Sequence, residues 1–190
     1  TFRTDEIGYM RTIPLKSFKP IGCAECRNPD GLGFDFTMAF QPIFNVTTAK
    51  PYAYEALVRG LDGQSAASIL ARVNETNRYR FDQACRVKAI ELAAQLGMPA
   101  IPDCKLSINF LPNAVYRAET CVRATLEAAS EWAFPIDRIM FEVTEGEQVE
   151  DPDHLKSIFL EYERQGFTTA IDDFGSGYSG LNLLAMFQPQ

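Results

Sequence analysis

Short apolar runs rich in β-branched residues alternate along the chain with longer segments whose apolar residues recur every three or four positions. The short runs predict strands, and the longer segments predict amphipathic helices. Five strands are predicted, at residues 36–43, 52–58, 105–110, 138–143 and 168–174. Their alternation with helices predicts parallel βα units, arranged either in a doubly wound sheet or in a barrel.

Four helical segments are predicted between and after these strands. The first covers residues 65–96 and is interrupted near residues 74–77. Pro112 is expected to open the second, because proline is favoured at the first helical position. Asp153 is expected to cap the third, because an aspartate side chain accepts hydrogen bonds from the free amides of a helix start. The last covers residues 178–187.

The composition predicts one globular α/β domain behind an irregular arm. Proline and glycine interrupt residues 1–33, and residues 34–190 carry the strands and helices. The chain is 46% hydrophobic, enough for a core at 190 residues, and it has no run of 18 apolar residues that would cross a membrane. A net charge of -7 argues against duplex nucleic acid, which needs a basic face, but not against a small anion held by arginine and a metal.

Five cysteines, an odd number without regular spacing, fit a reducing compartment, so we expect a cytoplasmic protein. Cys23 and Cys26 form a C-x-x-C pair, which occurs both in zinc sites and in redox centres. A zinc site needs about four ligands, and the only histidine, His154, is far away in the sequence. Reduced thiols in a surface turn are the simpler interpretation.

Oxygen-bearing side chains stand at or near the ends of four strands that are otherwise apolar. They are Glu55, Asn109, Glu142, Asp172 and Asp173. The carboxyl ends of parallel strands share one edge, so these groups would meet there, and buried carboxylates need a compensating charge. Arg59 is the only basic residue beside them in the sequence. Oxygen ligands without histidine or cysteine favour Mg²⁺, Mn²⁺ or Ca²⁺, so we expect a metal site.

A glycine-rich loop follows the adjacent aspartates at once, with glycines at 175, 177 and 180. A turn at the strand end lets both carboxylates reach one site, where one of them would bridge two ions about 4 Å apart, the arrangement that activates water on a phosphodiester. Glycines let a backbone approach a phosphate closely or close over it as a lid.

Several motifs in a fixed order resemble one known family. Glu55 opens the stretch EALVR, which fits the pattern E-x-L-x-R, and LSINF, FEVTE and AIDDFGSGYSGL follow it. From about Phe36 to the C-terminus, the chain resembles the EAL domain of bacterial cyclic-di-GMP phosphodiesterases. The resemblance implies a TIM-like (β/α)8 barrel of the EAL type. It also implies hydrolysis of cyclic-di-GMP to linear pGpG with one or two Mg²⁺ or Mn²⁺ ions.

The same resemblance implies roles for the matching residues. The implied metal ligands are Glu55, Asn109, Glu142, Asp172 and Asp173, of which Glu55 and the two aspartates are also the implied catalytic residues. The implied substrate-binding residues are Gln41, Leu57 and Arg59. The planar guanidinium of an arginine suits a phosphate. The loop over residues 174–179 matches the segment that couples the substrate, the second ion and the dimer interface, so a homodimer is expected.

The chain is expected to hold about two-thirds of such a barrel, because a (β/α)8 barrel needs about 250 residues. The family's K-x-D lysine and aspartate, a later metal-binding glutamate and a late glutamine would follow Gln190. We therefore expect phosphodiesterase activity of the full-length protein. A non-catalytic cyclic-di-GMP receptor or protein-interaction module on the same fold is the alternative, and an unrelated Mg²⁺-dependent barrel lyase would lack the ordered motifs.

Overall fold

Five strands form one sheet in the order β1-β2-β3-β4-β5. A computed structural model describes residues 31–115, 117–145, 149, 151–175, 181, 184–185 and 187–189. The strands are β1 (Thr37–Asn45), β2 (Lys50–Arg59), β3 (Lys105–Asn109), β4 (Ile139–Thr144) and β5 (Thr168–Asp172). All five predicted strands are confirmed, and no strand end differs from its predicted position by more than two residues.

The first two strands form a hairpin. β1 runs antiparallel to β2, whereas β2, β3, β4 and β5 are mutually parallel. The prediction of parallel βα units was therefore wrong for β1. Only residues 46–49 join the two strands, and parallel strands need a crossover of a dozen or more residues. The side chain of Asn45 fixes the turn, because its Oδ1 accepts hydrogen bonds from the amides of Thr47 and Thr48.

Helices connect the parallel strands. They are α1 (Ala66–Leu70), α2 (Arg78–Gln95), α3 (Ala118–Glu131) and α4 (Pro152–Arg164). The predicted interruption of the first helical region is confirmed between α1 and α2. The helix predicted to open at Pro112 begins later, because Pro112–Ala114 is a 3-10 turn and Val115 then adopts an extended conformation with φ -93° and ψ 102°. An extended residue cannot continue a helix, so α3 starts only at Ala118.

The cap of α4 is Asp151 and not Asp153. The Asp151 side chain accepts a hydrogen bond of 3.1 Å from the amide of His154, and Pro152 occupies the first helical turn. Because proline fixes its own φ near the helical value, the residue before it becomes the cap. Asp153 lies in the first turn, and the ring of His154 hydrogen-bonds the carbonyl of Val115.

The sheet has two chemically different faces. Ile108, Phe141 and Val143 point to the helix side and belong to the main core, where α4 contributes Phe159 and Tyr162. The alternate residues Ser107 of β3 and Glu142 of β4 point to the other face, as does Glu55 of β2, which pairs with Ser107. Phe187, near the C-terminus, stacks on Phe159 with ring centroids 4.0 Å apart.

Other expectations fall partly outside the described residues. These are the arm up to residue 30, with Cys23 and Cys26, and most of the predicted helix over 178–187. Cys85, Cys104 and Cys121 are buried free thiols. Among the helices that the structure describes, none has the length and apolar character needed to cross a membrane.

Candidate metal centre

The register of the parallel strands places four oxygen-bearing side chains on one face. Glu55 pairs with Ser107, Asn109 pairs with Glu142, and Glu142 pairs with Ala170, two residues before Asp172. Side chains two residues apart on a strand share a face. Glu55, Asn109, Glu142 and Asp172 therefore emerge together, near the carboxyl ends of their strands.

Three carboxylates meet at this edge. One oxygen each from Glu55, Glu142 and Asp172 lies within 4.8 Å of the other two. Glu142 is buried, with 6% of its surface exposed, and the other two are half-buried. Among the residues that the structure describes, no lysine or arginine forms an ion pair with any of the three. The cluster therefore concentrates negative charge that nothing in the described chain neutralises.

Asn109 completes the group. Its Nδ2 donates a hydrogen bond of 2.8 Å to Oε1 of Glu55, so the amide lies against the carboxylate cluster. The amide has an oxygen as well as a nitrogen, and the oxygen is the atom that binds a cation. Three carboxylates and one amide form an all-oxygen donor set, which fits a hard divalent cation such as Mg²⁺, Mn²⁺ or Ca²⁺.

The electrostatics of Glu142 agree with this fit. Burial raises the pKa of Glu142 to about 7, the Ser107 hydroxyl opposes the shift, and the nearby carboxylates of Glu55 and Asp172 add to it. Ser107 is itself fully buried, and its hydroxyl forms no hydrogen bond of standard geometry within the described part of the chain. Without a cation, the cluster thus holds a proton near neutral pH, and a divalent cation would displace that proton.

Asp173 is placed differently from its neighbour. Its φ of +54° is in the left-handed region, and its side chain is exposed. Within the described residues, it is not part of the group of carboxylates that lie within 4.8 Å of one another. The positive φ turns the backbone at the end of β5, as expected of a strand-end turn. Its role at a second ion stays a prediction.

The expected substrate-binding residues share the face of the cluster. Gln41 is exposed and pairs with Glu55 across the hairpin, and Leu57 and Arg59 follow Glu55 at alternate positions of β2. Arg59 is half-buried, and its Nη1 donates 2.8 Å to the carbonyl of Val58. The residues form one strip along the hairpin, with Arg59 at the carboxyl end of β2.

Glu145 is a residue of the site whose role the sequence did not reveal. It is 3% exposed, its amide donates 3.0 Å to the carbonyl of Asp172, and its carboxylate accepts a hydrogen bond from the amide of Gly175. Gly175 has a φ of +93°, which favours glycine. Glu145 thus fastens the turn after β5 to the end of β4. Its signal in the sequence is the second glutamate of FEVTE, directly after the strand. Residues 176–180 of the loop lie outside the described residues.

The comparisons with known proteins point to one family. The model of the EAL domain family matches residues 33–190. A standalone versatile EAL protein from Vibrio cholerae O395, in its c-di-GMP bound form, is 65% identical with a TM-score of 0.76, over 82% of this chain and 64% of that one. Klebsiella pneumoniae BlrP1, in a manganese/cy-diGMP complex, is 33% identical with a TM-score of 0.73, over 81% and 38%.

A curated relative extends this picture. The blue light- and temperature-regulated antirepressor BluF of Escherichia coli K12 is 28% identical over 151 residues, which are 80% of this chain and 37% of BluF. The chain thus spans from 37% to 64% of the length of these three proteins.

Proposed function

The chain belongs to the EAL domain family, and on this basis we propose that the full-length protein is a cyclic-di-GMP-specific phosphodiesterase that hydrolyses cyclic-di-GMP to linear pGpG in bacterial signalling. The family has a TIM-like barrel fold, of which the five strands form a part. The observation that carries the proposal is the meeting of Glu55, Glu142 and Asp172 within 4.8 Å. The structure of the V. cholerae protein is a c-di-GMP bound form, and that of BlrP1 is a manganese/cy-diGMP complex.

The metal belongs to the same proposal. Glu55, Asn109, Glu142 and Asp172 would hold one ion, and Asp173 would serve a second. BlrP1 structures contain manganese or calcium with cyclic-di-GMP, and we propose Mg²⁺ or Mn²⁺ as the cofactor of this protein. A bound divalent cation would neutralise the carboxylates, polarise a phosphoryl oxygen and lower the pKa of a coordinated water.

The residues of the chain do the binding and positioning. The planar fork of Arg59 would donate two hydrogen bonds to phosphate oxygens, while Gln41 and Leu57 contact the rest of the substrate beside it. The hydrogen bond from Asn109 holds Glu55 in place at the cluster. Glu145 keeps the turn after β5 closed against β4 by accepting the hydrogen bond of a loop amide.

Partners and location complete the proposal. We propose a cytoplasmic homodimer, in which residues 1–33 form an N-terminal arm that leads into a domain at 34–190. The start of the family match at residue 33 supports that boundary. The alternative function is a catalytically inactive cyclic-di-GMP receptor or a protein-interaction module. The similarity to BluF, which is named an antirepressor, favours this alternative.

A product assay tests the proposal and separates it from the alternative. The purified full-length protein is incubated with cyclic-di-GMP and either Mg²⁺ or Mn²⁺, and the nucleotides are separated by chromatography. We expect pGpG to accumulate, to vanish with a chelator and with Glu55→Gln, and to be unaffected by Glu163→Gln on α4. Cyclic-di-GMP binding without product under both ions would contradict the phosphodiesterase and identify a receptor.

A further inference from the structure

A charged network lies inside the core, behind the carboxylate cluster. Arg86 of α2 is 0% exposed, and its Nη2 forms an ion pair of 2.8 Å with Oδ2 of Asp82, one turn earlier in the helix. Its Nη1 donates 2.6 Å to the hydroxyl of Tyr162 on α4. Burial lowers the pKa of Arg86, but Asp82 and Tyr162 raise it above its ordinary value, so the guanidinium is charged.

The guanidinium of Arg86 contacts the neighbours in sequence of two proposed metal ligands. Its central carbon lies 4.9 Å from the ring centroid of Phe141 and 5.7 Å from that of Phe110. Phe141 precedes Glu142, and Phe110 follows Asn109. Successive strand residues point to opposite faces of the sheet. Each ring therefore packs on the helix side of a backbone segment whose opposite side carries a proposed ligand.

Asp82 holds the segment just beyond Asn109. Its Oδ1 accepts a hydrogen bond of 2.9 Å from the amide of Leu111, two residues past Asn109. The amide of Phe110, between them, donates 3.1 Å to the carbonyl of Glu142. The ends of β3 and β4 are therefore bonded to each other and to the buried pair.

Stability alone is a weak reason for this pair. Removing two charges from water costs about as much as their attraction returns, and well-packed apolar residues often replace such a pair without loss of stability. Besides a hydrogen bond of 3.0 Å that Asp82 accepts from the Gln83 side chain, the contacts of the pair lead to Tyr162, to the ring of Phe141 and to the amide of Leu111.

We propose that Asp82 and Arg86 are positioning residues, which fix the ends of β3 and β4 so that Asn109 and Glu142 reach the same divalent cation. This inference rests on the proposed function, because it assumes that the cluster binds a metal. Mutation of a group that orients a metal ligand without touching the metal typically lowers the affinity for the metal about 10- to 100-fold.

Two variants separate positioning from stability. Asp82→Leu with Arg86→Met removes both charges, keeps apolar volume and is expected to preserve or raise the melting temperature, while Mn²⁺ affinity falls about 10-fold. Arg86→Lys keeps a charge near Asp82 but loses the planar fork, so it is expected to melt lower and yet bind Mn²⁺ more tightly than the double variant. If the pair contributed only to stability, the variant with the lower melting temperature would also have the lower Mn²⁺ affinity.

Free Mn²⁺, measured by electron paramagnetic resonance, gives the affinity of the full-length protein without any turnover, and circular dichroism gives the melting temperature. Thr125→Val is the matched control, since Thr125 is also fully buried in a helix and its hydroxyl has no hydrogen-bond partner within the described residues. Its affinity should stay within about twofold of wild type, because Thr125 is not part of the network that contacts the strand ends.

Three outcomes of these measurements would contradict the positioning role of Asp82 and Arg86. A folded double variant with wild-type Mn²⁺ affinity, or affinities that follow melting temperatures, would overturn the inference. If the double variant does not fold, Tyr162→Phe, which removes only the hydroxyl bound to Arg86, must show weaker Mn²⁺ binding at unchanged secondary structure, and unchanged binding overturns the inference. A wild type that binds no Mn²⁺ contradicts the metal assignment itself, and the inference fails with it.

Discussion

The side-chain amide of Asn109 donates a 2.8 Å hydrogen bond to Oε1 of Glu55, although 54 positions separate the two residues. They meet because β2 and β3 are adjacent parallel strands, with Glu55 opposite Ser107. The next pairing sets Asn109 opposite Glu142. A third register sets Glu142 opposite Ala170, two residues before Asp172. Three successive strand registers therefore build the cluster, and a one-residue slip in any of them would turn its side chains to the other face.

Glu142→Gln should abolish most of the metal binding and leave the fold intact. The change removes a charged ligand, so the loss of Mn²⁺ affinity should exceed the roughly 10- to 100-fold typical of residues that only support a ligand. It also removes a buried charge next to Glu55 and Asp172, so the metal-free protein should melt no lower than wild type. Calorimetric titration and melting curves, with Glu163→Gln as control, measure both. Unchanged Mn²⁺ affinity would refute the assignment of Glu142.

The stability of the metal-free protein should fall as pH rises through the titration of Glu142. Its pKa of about 7 in the folded protein lies above the ordinary value of 4.5, because burial disfavours the charged form. The folded state thus binds the proton more tightly, and the stability this contributes is present below 4.5 and lost as pH rises to about 7. Melting temperatures from pH 4.5 to 8 should decline more for wild type than for Glu142→Gln. Parallel curves would contradict the shift.

Saturating Mn²⁺ should reverse this pH trend. A cation binds the ionised carboxylate and competes with the proton, so Mn²⁺ affinity should increase as pH rises towards about 7 and beyond. The number of protons released per ion follows from titrations in two buffers of different ionisation enthalpy. Binding without proton release at pH 6 would contradict a protonated Glu142 in the metal-free cluster.

Arg59→Lys should weaken catalysis without weakening the metal site. Lysine keeps the charge but not the two-pronged geometry that suits a phosphate. We expect kcat/KM for cyclic-di-GMP to fall about 10- to 100-fold, roughly 1.4–2.7 kcal/mol of transition-state stabilisation, at constant Mn²⁺ affinity. Arg123→Lys, on the exposed side of α3, is the control. An equal loss of Mn²⁺ affinity would mean that Arg59 stabilises the metal site and does not bind the substrate.

Glu145→Ala should loosen the turn after β5. The amide of Gly175 loses its acceptor, while Asp172 keeps its backbone bond to residue 145. Hydrogen exchange of the amides at 173–175 should accelerate about 10-fold or more, because local opening governs exchange in such turns. Glu163→Ala on α4 should not change it. Unaltered exchange in Glu145→Ala would mean that the carboxylate does not hold the turn in solution.

The sequence predicted the strands and the meeting of the carboxylates better than the connections between the strands. Glu55, Glu142 and Asp172 were recognisable because a carboxylate inside an apolar strand needs a compensating partner, and the structure brings all three together. The antiparallel start of the sheet was missed, because alternating strands and helices suggest parallel order, whereas the short turn at residues 46–49 permits only a hairpin.

Contacts between distant elements were the part that could not be predicted. Arg86 and Asp82 lie in a helix whose pattern predicts an apolar face, yet both are buried. An aromatic ring of β4, and a ring and a backbone amide of the two residues that follow β3, compensate them. Glu145 was part of a recognised motif, but its hydrogen bond to Gly175 depends on the turn conformation after β5. No fixed spacing in the sequence indicates the contacts of Asp82 and Arg86 with the strand ends, or the hydrogen bond between Glu145 and Gly175.

Anomalous diffraction from crystals of the full-length protein soaked in Mn²⁺ tests the central claim most directly, because every step of the proposed hydrolysis depends on the metal site. We expect an anomalous peak bounded by Glu55, Asn109, Glu142 and Asp172, at about 2.0–2.6 Å from the oxygens that bind it. We expect the peak to be absent in Glu142→Gln crystals. Saturating Mn²⁺ that leaves this position empty, or that binds only elsewhere, would contradict the account.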